Sequence, residues 1–183
     1  MKRGAPAVAR AITASYLQAA ATFYVERYPS SADKLRRILQ RRVARARMLE
    51  APVMANVEQA IDAIVARFVE AGAIDDRMFA QTKARALHRR GTSEQLTRRR
   101  LKLAGIDDDT LKQALAGLDE ELDSNPAERE WRAALALARR RRLGPFRATQ
   151  DRAGHRLRDL AALARAGFAY DLAKKVIDSE EIA

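Results

Sequence analysis

The chain contains no cysteine. Disulfides, thiolate catalysis and Cys-ligated zinc are therefore excluded. Glycine and proline are scarce, at 8 and 5 of 183 residues. No phosphate-cradling glycine loop, dinucleotide fingerprint or nucleophile elbow occurs among them. Aromatic residues make up 5%, too few to build a stacking platform for single-stranded nucleic acid. No stretch approaches the ~20 consecutive apolar residues of a membrane span. Arg10, Tyr16 and Gln18 interrupt the one N-terminal segment that resembles a signal peptide. The expectation is a cytoplasmic protein with no membrane partner.

Hydrophobic content is 48%, enough for a folded core. Alanine, leucine and arginine dominate, and all three favour helix. Strand-like alternation of β-branched and aromatic residues is missing, so the expected class is all-α. Lysine and arginine number 35 against 24 acids, a formal net charge of +11. That balance favours an acidic partner: nucleic acid, a nucleoprotein or an anionic protein face.

One phrase recurs along the chain. It reads Leu-x-x-x-Ala-Gly-(Ile/Phe), at Leu101 to Ile106 and at Leu163 to Phe168. A third copy, Phe68 to Ile74, carries one extra residue, Ala73. Glycine tolerates positive φ and so ends a helix. The apolar residue after it packs back over the last turn. Aspartates follow, at Asp75-Asp76, Asp107-Asp108-Asp109 and Asp171, and are expected to cap the next helix. Gly72 and Gly105 lie 33 positions apart, and Gly105 and Gly167 lie 62 apart. Self-similarity at such periods predicts stacked helical units. The expected architecture is an elongated tandem array of three-helix, helix-turn-helix-like repeats.

Apolar periodicity predicts helices over about 10–27, 32–47, 56–71, a segment after Gly72, 92–104, 108–118, 126–142, 151–166 and 170–180. The expected caps are Ser30 or Ser31, Asn56, Thr92-Ser93 and Asn125. Residues 1–50 form a first unit with an irregular N-terminus, 51–118 the middle units, 119–126 an acidic linker and 127–183 a C-terminal three-helix unit. Charge is segregated, with acids prevailing over 107–130 and bases over 139–158. This asymmetry either orients the chain on an extended partner or draws neighbouring units together.

Nothing in the sequence motivates catalysis. Consecutive aspartates at a helix start point in different directions, so capping is preferred to metal binding; no metal or cofactor is expected. His88 and His155 sit among arginines without a triad-like arrangement and read as surface residues. Trp131 reads as a packing anchor. The candidate partner-binding residues are basic: Arg36, Arg37 and Arg41; Arg89 and Arg90; Arg98, Arg99 and Lys102; and Arg139, Arg140, Arg141 and Arg142. Arg100 falls inside the apolar arc of its helix and is expected to snorkel or to pair with an acid.

The order of several motifs resembles the RecX family of bacterial regulators of the RecA recombinase. They are Ser-x-x-x-Leu-Arg-Arg-x-Leu (Ser31 to Leu39), Gly-Ala-Ile-Asp-Asp-Arg-Met-Phe-Ala (Gly72 to Ala80), Arg-Arg-Gly (Arg89 to Gly91), Leu-x-x-x-Gly-Ile-x-x-x-x-Leu (Leu101 to Leu111) and Arg-Ala-Gly-Phe (Arg165 to Phe168). The resemblance runs from about residue 15 almost to the C-terminus. It implies a modular all-α fold without catalysis. It also implies a protein that binds the RecA–single-stranded DNA filament and restrains it. A monomer and direct non-specific DNA contact are further expectations. A helix-turn-helix DNA-binding protein and a helical adaptor are the alternatives.

Overall fold

The computed structural model describes residues 10–179. Residues 1–9 and 180–183, which the sequence reading counts into its first and last units, lie outside the described residues. The described chain is helical throughout: α1 (Ala14–Val25), α2 (Ala32–Met48), α3 (Val57–Glu70), α4 (Asp76–Arg89), α5 (Glu94–Lys102), α6 (Asp108–Glu121), α7 (Pro126–Arg141), α8 (Thr149–Arg165) and α9 (Tyr170–Ile177), with a 3-10 turn at Gly144–Phe146. The chain divides into two compact units between Phe79 and Ala80, inside α4.

In the first unit, α1, α2 and α3 pack on one another. Leu17, Ala21, Leu35, Leu39, Val43, Ile61 and Ile64 form the centre of their core. Each fully buried leucine or isoleucine contributes roughly 1.5–3 kcal/mol. The first helix starts later than residue 10. Thr13 caps it, its hydroxyl accepting from Tyr16 N. Ile12 instead makes a backbone bridge: its N–H donates to Pro52 O at 2.8 Å and its C=O accepts from Met54 N at 3.2 Å. Phe23, expected on the apolar stripe, is exposed, with the Arg27 guanidinium 3.7 Å over its ring.

The second unit has its core where α7, α8 and α9 meet. Leu137, Leu143, Leu163, Phe168, Ala173 and Val176 are buried there, and Trp131 packs against them. Ala80, Ala84 and Leu87 of α4, Leu101 of α5 and Leu111, Ala114 and Leu115 of α6 are also buried. The helix expected to end near 118 continues to Glu121. Residues 119–121, read as the start of an acidic linker, are therefore helical.

The recurring phrase does what its chemistry requires. Gly72, Gly105 and Gly167 have φ of 68°, 80° and 84°. The residue after the turn closes the helix: Ile106 N donates to Leu101 O at 3.1 Å and Phe168 N to Leu163 O at 3.2 Å. Ile74 N donates to Phe68 O at 3.0 Å across the extra residue. Ile74, Ile106 and Phe168 are all buried. The same closure also ends α2, α4, α6 and α7, through Ala51, Thr92, Ser124 and Leu143. Glu50, Asp123 and Arg142 hold the positive-φ position in three of these, so glycine counting misses them.

The caps are less uniform than the phrase suggests. Ser31, Ser93, Asp107 and Asn125 cap as expected. Asp75 accepts from Met78 N at 2.9 Å. Asp76 also turns to α2, accepting from Ala32 N at 2.8 Å. One carboxylate thus lies at the positive ends of two helices. Asn56 makes no capping hydrogen bond. In the third copy Ala169 occupies the N-cap, so α9 has no aspartate cap.

Gly72 and Gly91 separate two reasons for a glycine. Both have positive φ, but a Cβ on Gly72 would meet nothing within 4 Å. A Cβ on Gly91 would stand 2.4 Å from Leu137 N and 2.7 Å from Ala133 O, both backbone atoms of α7. Gly72→Ala is expected to cost about 1–2 kcal/mol of backbone strain. Gly91→Ala adds overpacking of about 1–3 kcal/mol. Urea unfolding of the two variants checks the order, and an equal loss would contradict it.

Candidate functional site

Most acids of 107–130 are engaged within the chain; Glu120 and Asp123 stay exposed. Asp107 accepts from Asp109 N and Thr110 N at 3.0 and 2.8 Å. Asp108 pairs with Lys102 at 2.8 Å and Asp109 with Lys112 at 3.4 Å. Glu121 pairs with Arg85 on α4, and Glu128 with Arg132. The centre of this set is Arg129, whose side chain is 5% exposed. It pairs with Glu94 of α5 and Asp119 of α6 and donates to Leu115 O at 3.3 Å. Glu130 accepts from Glu94 N at 2.8 Å, at the start of α5.

Titration follows from this packing. Burial pushes Glu94 up, but Arg98 and Arg129 outweigh it and leave its carboxyl below the usual range. Glu130 is raised, chiefly by burial. His88, read as a surface residue, is half-buried. Its pKa is lowered by burial first and then by the neighbouring Arg129 and Arg132.

The twelve basic residues singled out from sequence fall into two groups. Arg36 pairs with Asp62 at 2.9 Å, Arg37 with Asp33, Arg98 with Glu94 at 2.7 Å and Lys102 with Asp108. Their charge is compensated within the chain. Arg41, Arg89, Arg90, Arg99, Arg140, Arg141 and Arg142 are exposed. No ion pair joins these to an acid among the described residues. Arg139 lies over the Phe146 ring, 5.3 Å from its centroid.

In the first unit, Arg41 lines a shallow hollow with Arg42, Arg45, Tyr16 and Ile38. Arg42 donates to Tyr16 Oη at 3.1 Å, which holds its side chain there. Arg42 is not among the candidate residues that the sequence puts forward. In the second unit, Arg140 and Arg141 share an open depression of ≈ 330 Å³ with Arg100 and Arg165. Arg100 is exposed and no acid pairs with it among the described residues, so of the two expected fates the pairing is absent. Thr97 and Leu101 carry the buried face of α5 instead. Arg165 was read only as part of a motif. Its partners across the depression are more than twenty residues away, so no local pattern marks it.

Two further polar groups are structural. Asp159 is 1% exposed. It accepts from Gly144 N at 2.9 Å and from Arg147 Nε and Nη2 at 2.7 and 2.8 Å. Burial pushes its pKa up, but these donors outweigh it and hold it below the usual range. His155 Nδ1 is buried without a hydrogen-bond partner, so this histidine is not a plain surface residue. Among the described residues no group of three or more His, Asp or Glu side chains could hold a metal ion. Nor is any helix there long and apolar enough to cross a membrane.

These features define an all-α helical-repeat protein in which most acids of 107–130 are paired within the chain and many arginines are left outside. Comparison with known proteins places that class. No family model matches the chain. Regulatory protein RecX of Myxococcus xanthus (strain DK1622) is 37% identical over 179 residues, covering 97% of this chain and 92% of that protein. Regulatory protein RecX of Thermobifida fusca (strain YX) is 32% identical over 124 residues, or 67% and 62% of the two chains. That of Agrobacterium fabrum (strain C58) is 30% identical over 105 residues, or 57% and 52%. A crystal structure of regulatory protein RecX superposes with a TM-score of 0.56 at 17% identity, over 91% of this chain and 72% of that one. The chain belongs to the RecX family and is a regulator of the RecX type.

Two variants test the electrostatics. Arg129→Met strands the Glu94 and Asp119 carboxylates and is expected to cost about 3–5 kcal/mol. Adding Glu94→Gln and Asp119→Asn should recover most of that in urea unfolding; no recovery would assign the loss to packing. His88 titrates lower in the fold than in the unfolded chain, so the unfolded state takes up the proton first as pH falls. Stability therefore drops in that direction. His88→Gln should flatten the decline of melting temperature between about pH 7 and pH 5, and an unchanged slope would refute the assignment.

Proposed function

We propose that the chain binds the RecA–single-stranded DNA filament and restrains its growth, strand exchange and co-protease activity. Membership of the RecX family along nearly the whole chain supports this reading. The surface supports it too. An acidic nucleoprotein needs a partner whose positive charge is free, and here much of the free positive charge is arginine. Arg89, Arg90, Arg99 and Arg140 to Arg142 are exposed and paired with no acid among the described residues. That observation carries the proposal, because compensated pairs such as Arg36–Asp62 offer little to a partner.

Action is by binding across recombinase protomers. A bound repeat protein blocks addition of the next subunit or the subunit motion that accompanies ATP turnover. A helix-turn-helix reader of duplex sequence fits less well. The helices after the glycine turns begin with Asp76 and with Asp108-Asp109, and carboxylates there would face phosphates.

Addition of the purified protein to RecA on single-stranded DNA should lower ATP hydrolysis at or below equal stoichiometry. Undiminished hydrolysis at equal stoichiometry would refute the proposal. Sequence-selective duplex binding in a gel shift without recombinase would favour the transcription-factor reading.

A further inference from the structure

We propose that the depression formed by Arg100, Arg140, Arg141 and Arg165 is a binding site for the sugar–phosphate backbone of one strand of nucleic acid. The proposal deepens the filament reading and rests on it for where the strand is met. Three helices supply the arginines from their last turns: α5, α7 and α8. Cations at helix C-termini have a structural use, since each terminus carries about −0.5 charge. Three termini therefore offset less than half of four guanidinium groups. Ala166 O, at the α8 terminus, is further occupied by the Ser93 hydroxyl at 2.8 Å. No carboxylate lines the depression, and most acids of 107–130 are engaged elsewhere. The excess positive charge is left for an external anion.

The chemistry favours phosphodiester over an acidic protein face. Guanidinium forks match phosphate oxygens bidentately. Leu96, Leu137 and Ala162 put apolar surface beside the arginines. A nucleic-acid backbone alternates charged phosphates with largely apolar sugar edges, and this lining alternates likewise. A folded acidic surface mixes its carboxylates with neutral and basic groups and matches such concentrated charge less well. A volume of ≈ 330 Å³ admits one backbone; a rigid duplex would touch the rim alone. No aromatic side chain lines the depression, so binding should be indifferent to base sequence.

The test omits recombinase. Binding of a fluorescent oligothymidine to the full chain is followed by anisotropy across a salt series. Single-strand binding weakens with salt by about 0.7 in log–log slope per phosphate contact. Replacement of Arg100, Arg140, Arg141 and Arg165 by Gln should weaken binding at least tenfold and lower the slope by about 0.7 for each arginine that holds a phosphate. A charge-matched control replaces the exposed Arg47, Arg77, Arg158 and Lys175 by Gln and should retain most of both. Single Arg→Gln variants serve if the fourfold variant melts below the assay temperature. Equal losses in the control, no binding by the unaltered protein, or equal competition by an oligoglutamate of matched charge would each overturn the site. Filament ATPase is measured on the same samples. Inhibition without oligonucleotide binding sinks this site alone, whereas binding without inhibition sinks the recombinase reading alone.

Discussion

Arg129 is the constraint on which the second unit depends. It is 5% exposed and draws carboxylates from α5 and α6 to a guanidinium on α7. Such a group is costly to bury and tolerable only when its donors are matched. Leu115 O takes one of those left over. The arrangement fixes α5 against α7 and also decides which charges remain available outside. Every acid turned toward Arg129, Arg132 or Arg85 is one that no longer neutralises a surface arginine.

Helix closure is the second organising device. From α2 to α8 each helix ends at a residue with positive φ, followed by a residue whose N–H reaches back into the last turn. The buried Ile74, Ile106 and Phe168 then seal those ends against the core. Repetition of one joint lets short helices stack without long loops. At Gly91 the joint also serves packing, because the turn lies against the α7 backbone. Arg142, at the end of α7, takes the same conformation without being glycine. This places its neighbours Arg140 and Arg141 in the last turn that borders the arginine-lined depression.

Regulation by such a molecule is a matter of surface charge and shape. The charged constellations serve structure: Asp76 caps across two helix starts, Asp107 caps α6 and Asp159 anchors the turn after α7. Arginine is prominent among the side chains left unpaired, and arginine recognises oxyanions through geometry as well as charge. A filament-binding regulator and a single-strand backbone site are compatible uses of that surface.

Much of the fold was legible in the sequence because its signals are local. Periodicity located the helices, and Gly-Ile or Gly-Phe located the turns. Serine, asparagine and aspartate located most caps. The misses are non-local. Ile12 left its helix for a bridge beside Val53, and Asp119 belonged to α6 and to Arg129 rather than to a linker. The closures at Glu50, Asp123 and Arg142 carry no glycine to announce them. For the surface, composition put arginine forward. It could not sort Arg36, Arg37, Arg98 and Lys102, which are neutralised, from Arg99 and Arg140 to Arg142, which are not. Nor could it bring Arg100 and Arg165 together. By itself the sequence determined a basic, all-helical repeat of the RecX kind, since helix periodicity and glycine turns act within a few residues. The tertiary structure alone decided where the charge is free, because electrostatic compensation depends on distances between residues far apart in the chain.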